Sequence, residues 1–252
     1  MVDFACGVAL EGNKVYIYAM APFLSLRCLE QHKTATCLMD ANVCSIVTGI
    51  GLSYANSGPT HYSTEDFACL RSLSNCYIYT ASDPEVAKFI AKETLKIKKP
   101  IFVRLDRKSS GNLLKKINSN DIKRGYRFIK KNLKSKTLVI GHGSIIERAL
   151  KACENHIKLK FTVDLIDLIR AKPFPNILIK KFKTYKSIVT IDEQTPEGSL
   201  GSLIKEKCDE NLKILSLSLP DKFIFENIGR EKLLDKYGLS IKYIQKKILE
   251  VI

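Results

Sequence analysis

The sequence predicts an α/β protein made of two doubly wound domains, each built on a mainly parallel sheet. Three observations carry this. Short apolar runs alternate with longer stretches of helical character. The runs are continuous rather than alternating, as strands covered on both faces require. A polar interval divides the chain, and a second series of the same kind follows it.

The elements follow in order. Residues 15–19 read as a strand, 22–39 as a helix and 43–47 as a second strand. A helix over 63–73 opens with the capping-box spacing Ser63-x-x-Asp66. Residues 77–80 form a short strand. The next helix runs from Asp83 to about Ile97, with Asp83 as N-cap and Pro84 at the first helical position. Residues 101–105 close the series as a strand. From Lys108 to Arg127 the composition turns polar and charged, so residues 1–110 are expected to form the first domain, 111–130 a linker and 131–252 the second domain. In the second domain, strands are expected over 137–140, 161–168, 188–191 and 212–217. Helices are expected over 144–156 and 199–208, with two short ones at the C-terminus.

Bulk properties exclude several classes. With 45% hydrophobic residues the chain is globular, and no apolar run approaches the ~20 residues that span a bilayer. Met1-Val2-Asp3-Phe4 lacks the basic region of a secretory signal, so the expected address is cytoplasmic, without a membrane partner. A net charge of +15 raises nucleic acid as a partner. The lysines are scattered, however (Lys92, Lys96, Lys98, Lys99, Lys115, Lys116), and no nucleic-acid-binding motif accompanies them. Solvated lysine faces explain the charge, and no nucleic-acid partner is expected. None of the eight cysteines forms a CxxC pair, and neither they nor the four histidines have zinc-ligand spacing. Reduced core thiols and no protein-bound metal are expected.

The most informative stretch is Gly58-Pro59-Thr60-His61-Tyr62-Ser63-Thr64-Glu65-Asp66. It holds a histidine on a turn between a strand and a helix, at the carboxyl-end crevice where open α/β sheets bind ligands. With Phe67-Ala68-Cys69-Leu70-Arg71 and Ala81-Ser82-Asp83-Pro84, this stretch resembles the pyrimidine-binding domain of transketolase-like, thiamine-diphosphate-dependent enzymes. Val163-Asp164-Leu165-Ile166-Asp167, Thr190-Ile191-Asp192-Glu193 and Gly198-Ser199-Leu200-Gly201 resemble the C-terminal domain of the same family. The resemblance extends over the whole chain.

The resemblance implies a set of roles. Thiamine diphosphate supplies the carbanion chemistry, and the protein supplies binding, orientation and proton management. His61 would face cofactor and substrate hydroxyls as the catalytic group. Phe23 and Leu26 would contact the aminopyrimidine, as cofactor-binding residues. Arg104, at a strand's carboxyl end, would bind the substrate phosphate through its planar fork; the alternative is a structural salt bridge to Asp106. Ser57 stands where many members read sugar hydroxyls with an aspartate, and Gly49 where some carry a further histidine. His32, His142 and His156 read as surface or structural residues without partners. The family's activating glutamate precedes a Met-Val-Asp-Phe-Ala-like helix, and this sequence begins at that helix. The first domain is therefore expected to be N-terminally truncated. The family's magnesium- and diphosphate-binding Gly-Asp-Gly does not occur, so a partner subunit is expected to hold the magnesium and the diphosphate in a homodimer or heterotetramer. The implied reaction is transfer of a two-carbon ketol unit between sugar phosphates. A deoxyxylulose-phosphate synthase-like or α-keto acid dehydrogenase β-like subunit, and a non-catalytic fragment, remain as alternatives.

Overall fold

The computed structural model describes residues 1–107, 116–208 and 210–252. Its architecture is the expected α/β arrangement of two five-stranded, mainly parallel sheets with flanking helices. The first sheet contains β1 (Val15–Met20), β2 (Val43–Thr48), β3 (Tyr77–Thr80), β4 (Ile101–Leu105) and β8 (Arg170–Lys172), in the order β1-β2-β4-β3-β8. The second contains β5 (Tyr126–Lys130), β6 (Thr137–Gly141), β7 (Val163–Leu168), β9 (Ser187–Ile191) and β10 (Lys213–Leu217), in the order β10-β9-β6-β7-β5. β2, β4, β6 and β9 have parallel partners on both sides. Their continuous apolar runs reflect that double burial.

Local chemistry explains where elements begin and end. The Asp83 side chain accepts from Val86 N at 2.8 Å and caps helix Pro84–Thr94. Val86, Ile90 and Thr94 lie four residues apart on its buried face. The helix expected over 22–39 is broken into Ala21–Leu24, Leu29–Gln31 and a π-helical turn, His32–Cys37. Side chains compete with the backbone there: Thr36 Oγ1 donates to His32 O at 2.9 Å, and His32 Nε2 reaches Leu24 O at 2.7 Å.

The expected linker needs revision. Residues 108–115 of that polar interval lie outside the described residues, but helix Ser119–Arg124 and strand β5 occupy most of 119–130. Asn118 and Asp121 form a capping box, and Gly125 ends the helix at φ +83°. Polar composition concealed these elements because, of their side chains, only Ile122, Tyr126 and Arg127 are fully buried. β5 runs antiparallel to β7 at one edge of the second sheet. β8, which follows β7 directly, runs antiparallel to β3 in the first sheet. The two sheets are thus stitched together by one continuous stretch of chain.

Their cores are continuous as well. Phe67, Leu70, Ile78 and Phe102 share a cluster with Leu138, Ile140 and Ile166. A buried polar knot lies beside it: Arg127 Nε donates to Asp167 Oδ2 at 3.0 Å, and Nη2 donates to Asp83 Oδ2 at 2.6 Å. Burial pushes Asp167 up to about 6 although Arg127 opposes the shift. The eight cysteines form no disulfide. No helix among the described residues is long and apolar enough to cross a membrane.

His32 is a correction, because it is fully buried and has partners. Besides Leu24 O, its Nδ1 lies 3.4 Å from Thr36 Oγ1, and its ring meets Phe102 edge-on at 4.7 Å. Burial lowers its pKa from 6.5 to about 4. Above pH 6.5 the ring is neutral whether the chain is folded or not. As pH falls from 6.5 through 4, the unfolded chain takes up a proton that the fold refuses, and stability is lost. Asp167 and Asp192, with raised values, act in the opposite sense, so the measurement is a difference. The stability of wild type minus His32→Gln is expected to narrow by roughly 3 kcal/mol between pH 7 and pH 4 in denaturant titrations. A pH-independent difference would show that His32 keeps its ordinary basicity.

Candidate functional site

The parallel strands of the first sheet deliver their carboxyl ends to one edge, where α/β sheets bind ligands. β1 leads into the turn of helix that carries Phe23. β2 leads through Gly49 into the loop that carries His61. Gly49 has φ +85°, and a Cβ there would lie 2.0 Å from the Tyr54 ring, so this loop has no room for a histidine at 49. Gly58, with φ +76°, opens a turn in which His61 N donates to Gly58 O at 3.0 Å, with Pro59 at the favoured second position.

Phe23 and His61 are neighbours at this edge. Their rings meet edge-on at 5.2 Å, and Tyr54 lies 6.3 Å beyond His61. Arg27 covers Phe23 at 4.4 Å, and Arg107 covers Tyr54 at 4.9 Å. The result is a row of three rings with a guanidinium at each end, an arrangement favourable to both rings and cations. His61 Nδ1 lies 3.0 Å from Thr60 Oγ1. Leu26 is exposed on the segment after Phe23, and Ser57 is exposed with its N–H on Tyr54 O at 2.8 Å. Half-buried Phe23, exposed Leu26 and a histidine edge fit the apolar end of a heteroaromatic cofactor. Among the described residues, no three His, Cys, Asp or Glu side chains cluster to hold a metal ion.

Arg104 is elsewhere than expected. It is 1% exposed and grips Asp66 with both arms, Nε to Oδ2 at 2.6 Å and Nη2 to Oδ1 at 2.9 Å. Nη1 donates to Thr80 Oγ1 at 3.1 Å, and the guanidinium lies 5.0 Å from the Phe67 ring centroid. The cavity it borders with Gly51, His142 and Glu193 has room for about one water, at about 10 Å³. The phosphate role expected of Arg104 is therefore corrected: its fork is spent on a carboxylate, and that carboxylate is Asp66 rather than Asp106. The capping box falls with it. Asp66 is committed to Arg104, Ser63 Oγ has no partner among the described residues, and the helix begins at Asp66. The spacing Ser63-x-x-Asp66 reads as a cap, whereas the fold uses the Asp66 charge.

Arg107 is the residue that sequence reasoning passed over. Three positions beyond Arg104, it is exposed and borders an open cleft of about 720 Å³ with Ser53, Asn56, Ser144 and Arg230. Its signal was available: a second arginine just past the carboxyl end of β4. Asp106 belongs to the cleft wall, accepting from Ser53 Oγ at 2.5 Å and pairing with Arg230 at 2.9 Å.

His142 and Asp192 meet behind the site. They are buried, 3.7 Å apart, and Asp192 Oδ2 accepts from Leu200 N at 2.7 Å. Burial holds His142 well below its ordinary value, helped by Arg104, and pushes Asp192 up to about 7. Both favour their neutral forms. Removing one partner of a buried pair leaves the other charge uncompensated, so Arg104→Met is expected to cost ~3–5 kcal/mol of stability. Arg104→Met combined with Asp66→Leu is expected to cost less than the sum of the single changes. Chemical unfolding of the four proteins measures both, and additive losses would show that the pair is uncoupled.

Comparison with known proteins agrees with this fold. The family model for the transketolase pyrimidine-binding domain matches residues 1–111, and that for the transketolase C-terminal domain matches residues 126–244. A Methanocaldococcus jannaschii protein named as a transketolase C-terminal section is 25% identical, over 99% of this chain and 79% of that one. One subunit of the apulose-4-phosphate transketolase of Actinobacillus succinogenes is 27% identical, over 84% of this chain and 67% of the relative. The 1-deoxy-D-xylulose-5-phosphate synthase of Chlorobium luteolum is 29% identical, over 95% of this chain but 39% of the relative. This chain thus spans well under half of such longer relatives. Among solved structures, a split-gene transketolase in the form of an inactive beta4 tetramer superposes with a TM-score of 0.84 at 22% identity, over 98% of this chain and 79% of that one. The Campylobacter jejuni transketolase gives 0.78 at 16%, over 99% of this chain and 38% of that one. With consecutive models for two of its domains accounting for residues 1–111 and 126–244, the chain belongs to the transketolase family.

Proposed function

We propose that this chain supplies the pyrimidine end of a thiamine diphosphate site in a transketolase-type enzyme, and that a diphosphate-binding polypeptide holding magnesium completes it. The reaction is transfer of a two-carbon ketol unit between sugar phosphates. The observation that carries this reading is the meeting of Phe23 and His61 at the carboxyl ends of adjacent parallel strands. The region lies inside the match to a pyrimidine-binding domain. Relatives named as a section and as one subunit of an enzyme support the need for a second polypeptide. The edge strand β1 is a suitable contact for it, since Tyr18 on β1 and Phe4 on helix Val2–Leu10 are 65% and 78% exposed. The 29% identity to a 1-deoxy-D-xylulose-5-phosphate synthase supports a synthase of that kind as the second reading.

When bound, thiamine diphosphate would supply the nucleophilic carbon for this chemistry. Phe23 and Leu26 seat the pyrimidine, and His61 holds and moves a proton at a substrate hydroxyl through Nε2. Arg107 takes the phosphate-binding role, with the fork geometry that suits it, and exposed Ser57 offers a hydroxyl to the sugar. Cytoplasmic location belongs to the same reading.

The test is a coupled ketol-transfer assay with magnesium and thiamine diphosphate, using the chain alone and mixed with a diphosphate-domain polypeptide from the same genome. Turnover is expected only in the mixture. There His61→Ala is expected to lower kcat by roughly 10²–10⁴-fold. Arg107→Ala is expected to lower kcat/KM for phosphorylated substrates by about 30–150-fold, the equivalent of ~2–3 kcal/mol, while sparing free sugars. Turnover by the chain alone would remove the partner requirement. A folded chain that stays inert with the diphosphate domain would favour the non-catalytic reading.

A further inference from the structure

Three consecutive residues of the second domain hold both ends of the loop that carries His61. At its start, Glu193 Oε2 accepts from Leu52 N at 3.1 Å, and the Glu193 side chain fills the place where a Cβ on Gly51 would stand. At its end, the buried Gln194 amide uses both of its polar atoms. Nε2 donates to Ser63 O at 2.9 Å and to Asp66 Oδ1 at 3.1 Å, and Oε1 accepts from Phe67 N at 3.1 Å. Thr195 N then donates to Thr64 O at 2.9 Å. Gly51 and Ser63 exchange backbone hydrogen bonds at 3.0 and 2.9 Å, closing the stem between these anchors.

The chemistry at Gln194 is specific. Phe67 N is a first-turn amide that its own helix cannot satisfy. Glu65 in the N-cap position makes no side-chain cap bond, and Asp66 is turned toward Arg104. The cap arrives from the other domain instead. An amide is the group that fits, because it donates to a carbonyl and a carboxylate while accepting from an N–H. The backbone of this segment also approaches closely, since a Cβ at Gly198 would lie 2.3 Å from Ala68 Cβ.

We propose that Gln194 is a positioning residue: by capping helix Asp66–Ser72 across the domain joint, it fixes the loop stem and thereby the His61 ring. The second domain then acts on the chemistry through this clamp, an inference that rests on the role given above to His61. The test uses Gln194→Met, which keeps the length and removes the hydrogen bonds, and Gln194→Glu, which keeps the acceptor for Phe67 N and removes the donors. Ile90→Ala, in the core cluster beneath helix Pro84–Thr94 and outside the loop's packing, controls for general destabilisation. Amide hydrogen exchange on the purified chain is expected to quicken about ten-fold or more over residues 60–67 in Gln194→Met, and at least as much in Gln194→Glu, whose second oxygen would face Asp66 Oδ1, with β6 unchanged. The His61 imidazole signal in nuclear magnetic resonance, assigned with His61→Gln, is expected to shift or broaden in both. Unaltered exchange over 60–67, or an equal change in Ile90→Ala, would overturn the proposal. In the reconstituted enzyme, kcat is expected to fall with KM retained. A displaced His61 ring with undiminished kcat would leave the clamp standing and overturn the catalytic role of His61.

Discussion

Arg104 is a full positive charge held out of water at the carboxyl ends of the first sheet, and much of the surrounding geometry answers to it. A buried guanidinium requires a carboxylate in bidentate reach, together with acceptors for its remaining protons. Asp66 and Thr80 meet that need from the start of a helix and the end of β3. Taking Asp66 for the ion pair deprives its helix of a capping residue, and Gln194 makes good the loss from the second domain. One desolvated charge therefore bears on where a helix begins and on which residue caps it. The neutral bias of His142 belongs to the same field, since Arg104 acts on it together with burial.

Most of the fold was legible because strand burial writes itself into composition. β2, β4, β6 and β9 lie between parallel neighbours, and their apolar runs show it. The antiparallel strands β5 and β8 left little trace. Tyr126–Lys130 turns only part of its length inward, and Arg170–Lys172 is three residues long with two cations. The break in the segment 22–39 was also hidden. Its apolar pattern continues, and the interruption comes from hydroxyl and imidazole contacts to carbonyls, which periodicity does not register.

The site was legible in its local part. A proline in a four-residue turn fixes His61, and a helix start just beyond β1 brings Phe23 beside it. Long-range pairing was not legible. Nothing near Arg104 in the sequence identifies Asp66, 38 residues away, as its partner, and position at a strand end does not separate a buried arginine from an exposed one. Arg104 and Arg107 lie three apart on a chain leaving a sheet, where the first points into the joint and the second to solvent.

The exchange of β8 into the first sheet bears on modularity. Matches to two separate domain models suggest units that could be cut apart and recombined. Yet β3 would lose its outer neighbour if the second unit were removed, exposing a row of unpaired backbone groups on a strand that carries Tyr77 and Tyr79. The first unit expressed alone would be prone to edge-to-edge association, and a chain cleaved between the units would stay together through that strand and the core beneath it.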